Sequence, residues 1–239
     1  MPRQNHPITV AEASRAIYLD FEGPGPPKRS APAPPPVLGG ILIDKHYSWS
    51  IVDNRLKQVA DGRNVPLVQL VDYLEKIITR ARTEARRIIY WTSHEESLFR
   101  DHGFPPEEYG FDLKIEVKPY FKKLFAESKK ADRELFSATK SKKAKLRQKA
   151  FGLCVQCAEE HPGEKQFKVP TTYGKGMVGS FIRKALDQCE KKESYDDWSK
   201  SAKKNWSRLI SHNRLDCRAM DILMKNYGFE GAPFRRELH

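Results

Sequence analysis

The chain has 239 residues and carries 43 Lys and Arg against 31 Asp and Glu, a formal net charge of +12. Such an excess fits a polyanionic partner, most simply nucleic acid, although a soluble basic protein without one has the same balance. At 39% hydrophobic and 31% charged residues the composition is that of a globular, soluble chain, and no run approaches the length of a membrane span, so no membrane partner is expected.

The length suits a single domain, 1–239, with one full core. The four cysteines are too few for a disulfide framework, and MPRQNHPITV lacks the apolar core of a secretion signal, so a cytoplasmic location is expected.

Residues 16–23 (AIYLDFEG) read as a strand. Side chains alternate faces along a strand, so Asp20 and Glu22 share one. Two neighbouring carboxylates repel, and burying them is costly unless a cation lies between them. A divalent metal is the simplest such cation, and paired metal-binding carboxylates are what phosphodiester chemistry uses. The plainer alternative is a solvated strand edge.

The proline-dense stretch 23–36 reads as an extended loop. Residues 37–44 (VLGGILID) and 47–53 (YSWSIVD) then read as two strands joined tightly near Lys45 and His46, which predicts a three-stranded antiparallel meander. Over 65–85, Val68, Leu70, Val71, Leu74, Ile77 and Ile78 recur at helical spacing, with Pro66 suited to a first turn. The apolar run in RRIIYWT (86–92) predicts a buried central strand after a crossover helix. A short helix beginning at SHEESLF then stops near Gly103. The order β-β-β-α-β-α predicts a mixed α/β sheet flanked by helices. Glu95 and Glu96 both suit the first turn of the short helix, where the macrodipole favours acids. Leu98 and Phe99 make Glu95 the inward acid, with Glu96 the fallback.

Residues 113–150 read as two basic amphipathic helices within a basic helical insertion at about 113–176. Phe121, Leu124, Phe125, Leu135 and Phe136 supply a partial apolar stripe. Lys140, Lys142, Lys143, Lys145 and Arg147 are candidate nucleic-acid contacts, a phosphate-tracking surface beside the active site. A solvated charged face explains the same residues. Residues 151–176 read as loop-rich. Cys154, Cys157 and His161 form part of a Zn2+ pattern with incomplete spacing, Cys189 being a distant fourth candidate, and a pair of thiols at a helix end is the plainer reading. Gly174, Gly176 and Gly179 match G-x-G-x-x-G formally, but no strand precedes them, which argues against a dinucleotide site. Lys175, before the helix expected at 177–190, remains a candidate phosphate contact.

Trp198 and Trp206 bracket Lys200, Lys203 and Lys204, an arrangement able to stack and charge-pair with a single strand, although Trp206 reads better as an anchor for the last helix. That helix, 206–227 with Gly228 as its cap, holds HNRLDC. His212 and Asp216 are one turn apart and share a face with Leu209, Met220 and Leu223, so they can hold a metal and a general base together. An ordinary surface pair has the same spacing.

The segments LDFEG (19–23), SHEESLF (93–99) and SHNRLDC (211–217) resemble, in this order, the motifs of the DEDD 3'→5' exonucleases of the ribonuclease H-like superfamily. The nearest likeness is to ribonuclease H-like domains with a final Y-N-x-x-D-C motif, with His212 at the tyrosine position. The resemblance spans 16–102 and 177–227 and departs from the usual pattern in offering Glu at the second motif. It implies a ribonuclease H-like fold in which Asp20, Glu22, Glu95 and Asp216 bind two Mg2+ or Mn2+ ions. It further implies that His212 orients or deprotonates the attacking water and that single-stranded DNA or RNA is shortened from its 3' end. Two other readings stand beside it: a nucleic-acid-binding or scaffold protein that does not cleave, and a structure-specific endonuclease with the same metals. A protein partner that delivers the substrate is compatible with each.

Overall fold

Strand β1 (Ile17–Glu22) is followed by β2 (Leu38–Ile43) and β3 (His46–Ile51), which pair as an antiparallel meander. On the other side of β1, β4 (Ile88–Tyr90) and β5 (Gly110–Asp112) add in parallel, giving a five-stranded mixed sheet of order β3-β2-β1-β4-β5. The computed structural model describes residues 8–25, 34–105, 108–135, 137–159 and 176–227. The expected α/β class, the meander and the central buried strand at β4 are all present. The hairpin turns through Asp44 and Lys45, whose φ of 50° and 68° give the left-handed pair that matches strand twist.

Alternation along β1 sorts its side chains as expected. Ile17, Leu19 and Phe21 pack with α3 (Leu70–Thr83) and α4 (Ser93–Asp101) on one face. Tyr18 joins the opposite core, built from α5 (Leu113–Val117), α8 (Leu153–Glu159) and α10 (Lys200–Tyr227). A third cluster joins α2 (Lys57–Arg63), α9 (Met177–Lys191) and the first half of α10. Paired glycines at the middle of β2 let helices approach both faces. A Cβ on Gly39 would meet the Tyr73 ring of α3 at 2.5 Å, and one on Gly40 would meet Asn213 Oδ1 of α10 at 1.6 Å. No helix among the described residues is long and apolar enough to cross a membrane.

Several local expectations need correction. Pro66 lies outside any helix: its carbonyl accepts from Ile51 N at 2.9 Å, and Val68 N donates back to Ile51 O at 2.9 Å. Only the proline carbonyl is used there, so the missing N–H costs nothing. The helix therefore starts at Leu70, and Val71 is left exposed. The terminal helix α1 (Val10–Ser14), α2 and β5 carry too few residues to show a clear period.

Among its described residues the basic stretch 113–150 holds three helices, not two: α5, α6 (Lys122–Leu135) and α7 (Lys140–Lys149). Of these α7 is not amphipathic, Leu146 being its one large apolar residue. Part of the region read as loop is helix α8, whose Cys154, Val155, Cys157 and Ala158 are buried in the core shared with α10. Helix α10 begins at Lys200, ahead of Trp206. Trp198 and Trp206 are both buried, and Trp198 Nε1 donates to Gln58 Oε1 at 2.9 Å, so neither offers a stacking face. The centre of the proline loop, Phe136, His161, Gly174, Lys175 and Gly228 lie outside the described residues.

Candidate metal centre

Because β1, β4 and β5 run parallel, their carboxyl ends meet at one edge of the sheet, the usual place for a site in a parallel α/β arrangement. Asp20 and Glu22 occupy the last half of β1, Glu95 follows β4 on the first turn of α4, and Asp112 ends β5. Helix α10 packs across β1 and β2 and brings His212, Asn213 and Asp216 over the same edge.

His212 Nε2 stands 3.7 Å from Glu22 Oε1 and 3.3 Å from Asp216 Oδ2. One donor atom from each of Glu22, His212 and Asp216 lies within 4.8 Å of the other two. Glu22 Oε1 and Asp216 Oδ1 are buried with no hydrogen-bond partner among the described residues. A buried carboxylate oxygen without a hydrogen bond is expensive, and a cation relieves that cost. The expected i,i+4 pairing of His212 with Asp216 is therefore present inside the protein rather than on its surface, His212 being 9% exposed.

Asn213 is fully buried and clamps the site. Its Nδ2 donates to Asp20 Oδ2 at 2.7 Å and to Asp20 O at 3.0 Å, while its Oδ1 accepts from the Tyr47 hydroxyl at 2.7 Å. This chain of bonds ties α10 to β1 and β3 directly over Gly40, which has to be glycine to leave room for the amide. Asn213 sits inside the HNRLDC segment, yet nothing in the sequence indicates its partners. The GG pair in β2 is the one visible sign of a close approach.

Glu95 is the inward acid, 5% exposed. It also completes a capping box, its Oε2 accepting from Thr92 Oγ1 at 2.6 Å and Thr92 N at 3.2 Å. Glu96 turns away to Arg100 at 2.7 Å and the Tyr90 hydroxyl at 3.3 Å.

The electrostatics follow from burying like charges together. Burial, then the carboxylates of Glu22, Asp216 and Glu95, raise Asp20 well above the usual range. Burial pushes Glu22 up to about 7, with His212 pulling it down and Asp216 and Glu95 adding to the rise. Glu95 is likewise pushed up to about 7 by burial, against the Thr92 hydroxyl that favours its charged form, with buried Asp112 adding like charge. Burial also raises Asp216, and His212 opposes it. A cation entering the cluster would displace protons from these carboxylates.

The structure thus gathers Glu22, His212 and Asp216 in one cluster with Asp20 beside Glu22, while Glu95 acts on Asp20 and Glu22 through its charge and is itself held by Thr92. The basic helical stretch reaches them through the α7–α8 connection. The Phe151 ring centroid is 5.3 Å from that of His212, and a Cβ on Gly152 would lie 3.6 Å from Asp216 Oδ1. On α7, Lys142, Lys145 and Arg147 are exposed and Lys143 is half-buried, whereas the Lys140 side chain lies outside the described residues. Cys154 points into the core, its Sγ 3.6 Å from Asp216 O, and burial pushes its thiol up; Cys189 packs in a separate cluster. The chain matches no protein-family model, no curated protein and no solved structure.

Proposed function

We propose that this protein is a divalent-metal-dependent nuclease with a ribonuclease H-like fold. It hydrolyses phosphodiester bonds of single-stranded DNA or RNA from the 3' end, like the DEDD exonucleases its motifs resemble. The observation that carries this reading is the convergence of four buried or half-buried carboxylates and an imidazole from three separate elements, with two buried carboxylate oxygens lacking a hydrogen bond. Hard oxygen donors beside one imidazole suit Mg2+ or Mn2+, with Asp20, Glu22, Glu95 and Asp216 as the holding residues. Bound there, two such ions would supply an activated water and charge stabilisation for the leaving oxygen.

The protein's own residues do the rest. Asn213 fixes the Asp20 carboxylate against β1, so that donor keeps its place without a substrate. His212, between Glu22 and Asp216, is placed to accept a proton from water at the edge of the cluster. Phe151 covers the imidazole on one side and limits its access to solvent. The 3' polarity comes from the resemblance alone.

The test is a cleavage assay on 5'-labelled single-stranded DNA and RNA with Mn2+ or EDTA. A metal-dependent ladder shortening from the 3' end, absent in Asp20→Asn, is the expected result. Full metal-dependent activity in D20N would overturn the assignment, and cleavage of substrates with blocked ends would turn it into an endonuclease. A specific observation favours a non-cleaving, nucleic-acid-binding scaffold as the second reading. His212 Nε2 lies 3.3 Å from Asp216 Oδ2 and Thr92 satisfies Glu95, so part of the cluster has partners without any cation.

A further inference from the structure

Next to the acid cluster, α5, α6 and the α7–α8 connection enclose a cleft of about 570 Å³. Its size is that of a small-ligand site rather than a surface dimple. Among the described residues Lys114, Lys118, Lys122 and Lys129 line it, against one carboxylate, Asp132. Its walls are aromatic: Trp91 and Phe125 stack with centroids 6.3 Å apart and planes at 27°, both half-buried, and Phe151 closes the floor. Two walls adjoin the acid cluster. Trp91 directly precedes Thr92, which holds Glu95, and Phe151 and Gly152 pack beside His212 and Asp216.

We infer that this cleft binds a single strand of nucleic acid leading into the acid cluster, with bases against Trp91 and Phe125 and phosphates against the four lysines. Half-buried rings beside a row of ammonium groups match a ligand with flat apolar faces and regularly spaced negative charges. The bases of a duplex are stacked on one another and cannot use such walls, and an acidic peptide has the charge without the planar faces. The inference takes its ligand class from the proposed nuclease reading and assigns residues that reading does not need. It also moves the main binding surface away from α7, whose described lysine side chains line no part of this cleft.

The experiment uses the intact chain in EDTA, so that binding is read without turnover. Fluorescence anisotropy follows 5'-fluorescein dT12 and a blunt 12-base-pair duplex across a salt series. Lys118, Lys122 and Lys129 are exposed, so K118Q/K122Q/K129Q should fold with an unchanged thermal midpoint. It is expected to bind dT12 at least ~10-fold more weakly, with a log–log salt slope shallower by roughly 2, as for three lost phosphate contacts on a single strand. Stacking should quench tryptophan emission in wild type on adding dT12, and Trp91→Phe should remove that quenching. Wild-type affinity and salt slope in the triple variant would overturn the inference. So would equal affinity for the duplex, displacement of dT12 by polyglutamate as readily as by unlabelled strand, or no binding of dT12 by wild type. Because the readout needs no metal, a cleft that binds in a protein that never cleaves would sink the nuclease reading alone, and cleavage indifferent to the triple variant would sink the cleft alone.

Discussion

Asp20, Glu22, Glu95 and Asp216 crowd like charges inside the protein, where burial and mutual repulsion push their carboxyls upward. Lys118, Lys122 and Lys129 of the neighbouring cleft, and Lys142, Lys145 and Arg147 of α7, carry like charges too, but in solvent. Water and salt screen the second group, whereas the low-dielectric surroundings of the first leave its repulsion nearly intact. The proposed function therefore opposes stability at the acid cluster and is nearly independent of it along the basic helices. Substitutions in the two regions should separate accordingly.

The largest effect is expected for Asp20→Asn, with hydrolysis falling by roughly 10³-fold or more while the protein stays folded, as activity and circular dichroism would show together. D20N unfolding with its loss of activity would erase the contrast between the regions. Next comes Glu22→Gln, through pH. Below about 4.5, its ordinary value, Glu22 is protonated whether folded or unfolded and contributes nothing. Between there and about 7 the unfolded chain gives up the proton first, and above that the folded state bears the full cost of the buried charge. Metal-free wild type should thus lose stability relative to E22Q as pH rises through this window. Each tenfold difference in proton affinity between the folded and unfolded chain is worth about 1.4 kcal/mol, so the gap by pH 8 should reach up to roughly 3 kcal/mol. Urea unfolding at pH 5 and pH 8 measures it. A gap that does not change with pH would mean that Glu22 is not held against its charge.

The clamp sharpens the comparison from within the first region. Asn213→Ala strips the Tyr47 hydroxyl of its acceptor and releases Asp20, and should cost about 1–3 kcal/mol in metal-free unfolding. Gly40→Ala, whose Cβ would overlap Asn213 Oδ1, should cost at least as much by displacing the same amide. The smallest effect belongs to K142Q/K145Q/R147Q on α7. Stability should change by no more than about 0.5 kcal/mol, and strand binding should change less than in the cleft variant.

Residues that depend on local periodicity are the legible ones. Alternation places Asp20 and Glu22 on one face, one-turn spacing places His212 with Asp216, and the apolar pair Leu98 and Phe99 selects Glu95 over Glu96. What the sequence hides depends on long-range contact. Asn213 meets Asp20 across 193 residues and Tyr47 across 166, and no local pattern encodes either bond. Strand β5 has only three residues, too short for an alternation to show, and Asp112 stays hidden with it. Helix α8 is buried in the core shared with α10, and Gly152 before it has no side chain to signal its start. The same limit applies to the basic region: the lysines are densest along α7, while the cleft draws its own from α5, α6 and the turn between them.

Whether the acid cluster holds divalent cations is tested by thermal unfolding of wild type and D20N at pH 8, with and without Mn2+ in large excess. Binding at a hundredfold over Kd adds about 2.7 kcal/mol, which for a chain of this size raises the midpoint by roughly 5–10 °C. The midpoint should rise by that amount in wild type and by little or nothing in D20N. No rise in wild type, or the same rise in both proteins, would contradict cation binding at the cluster.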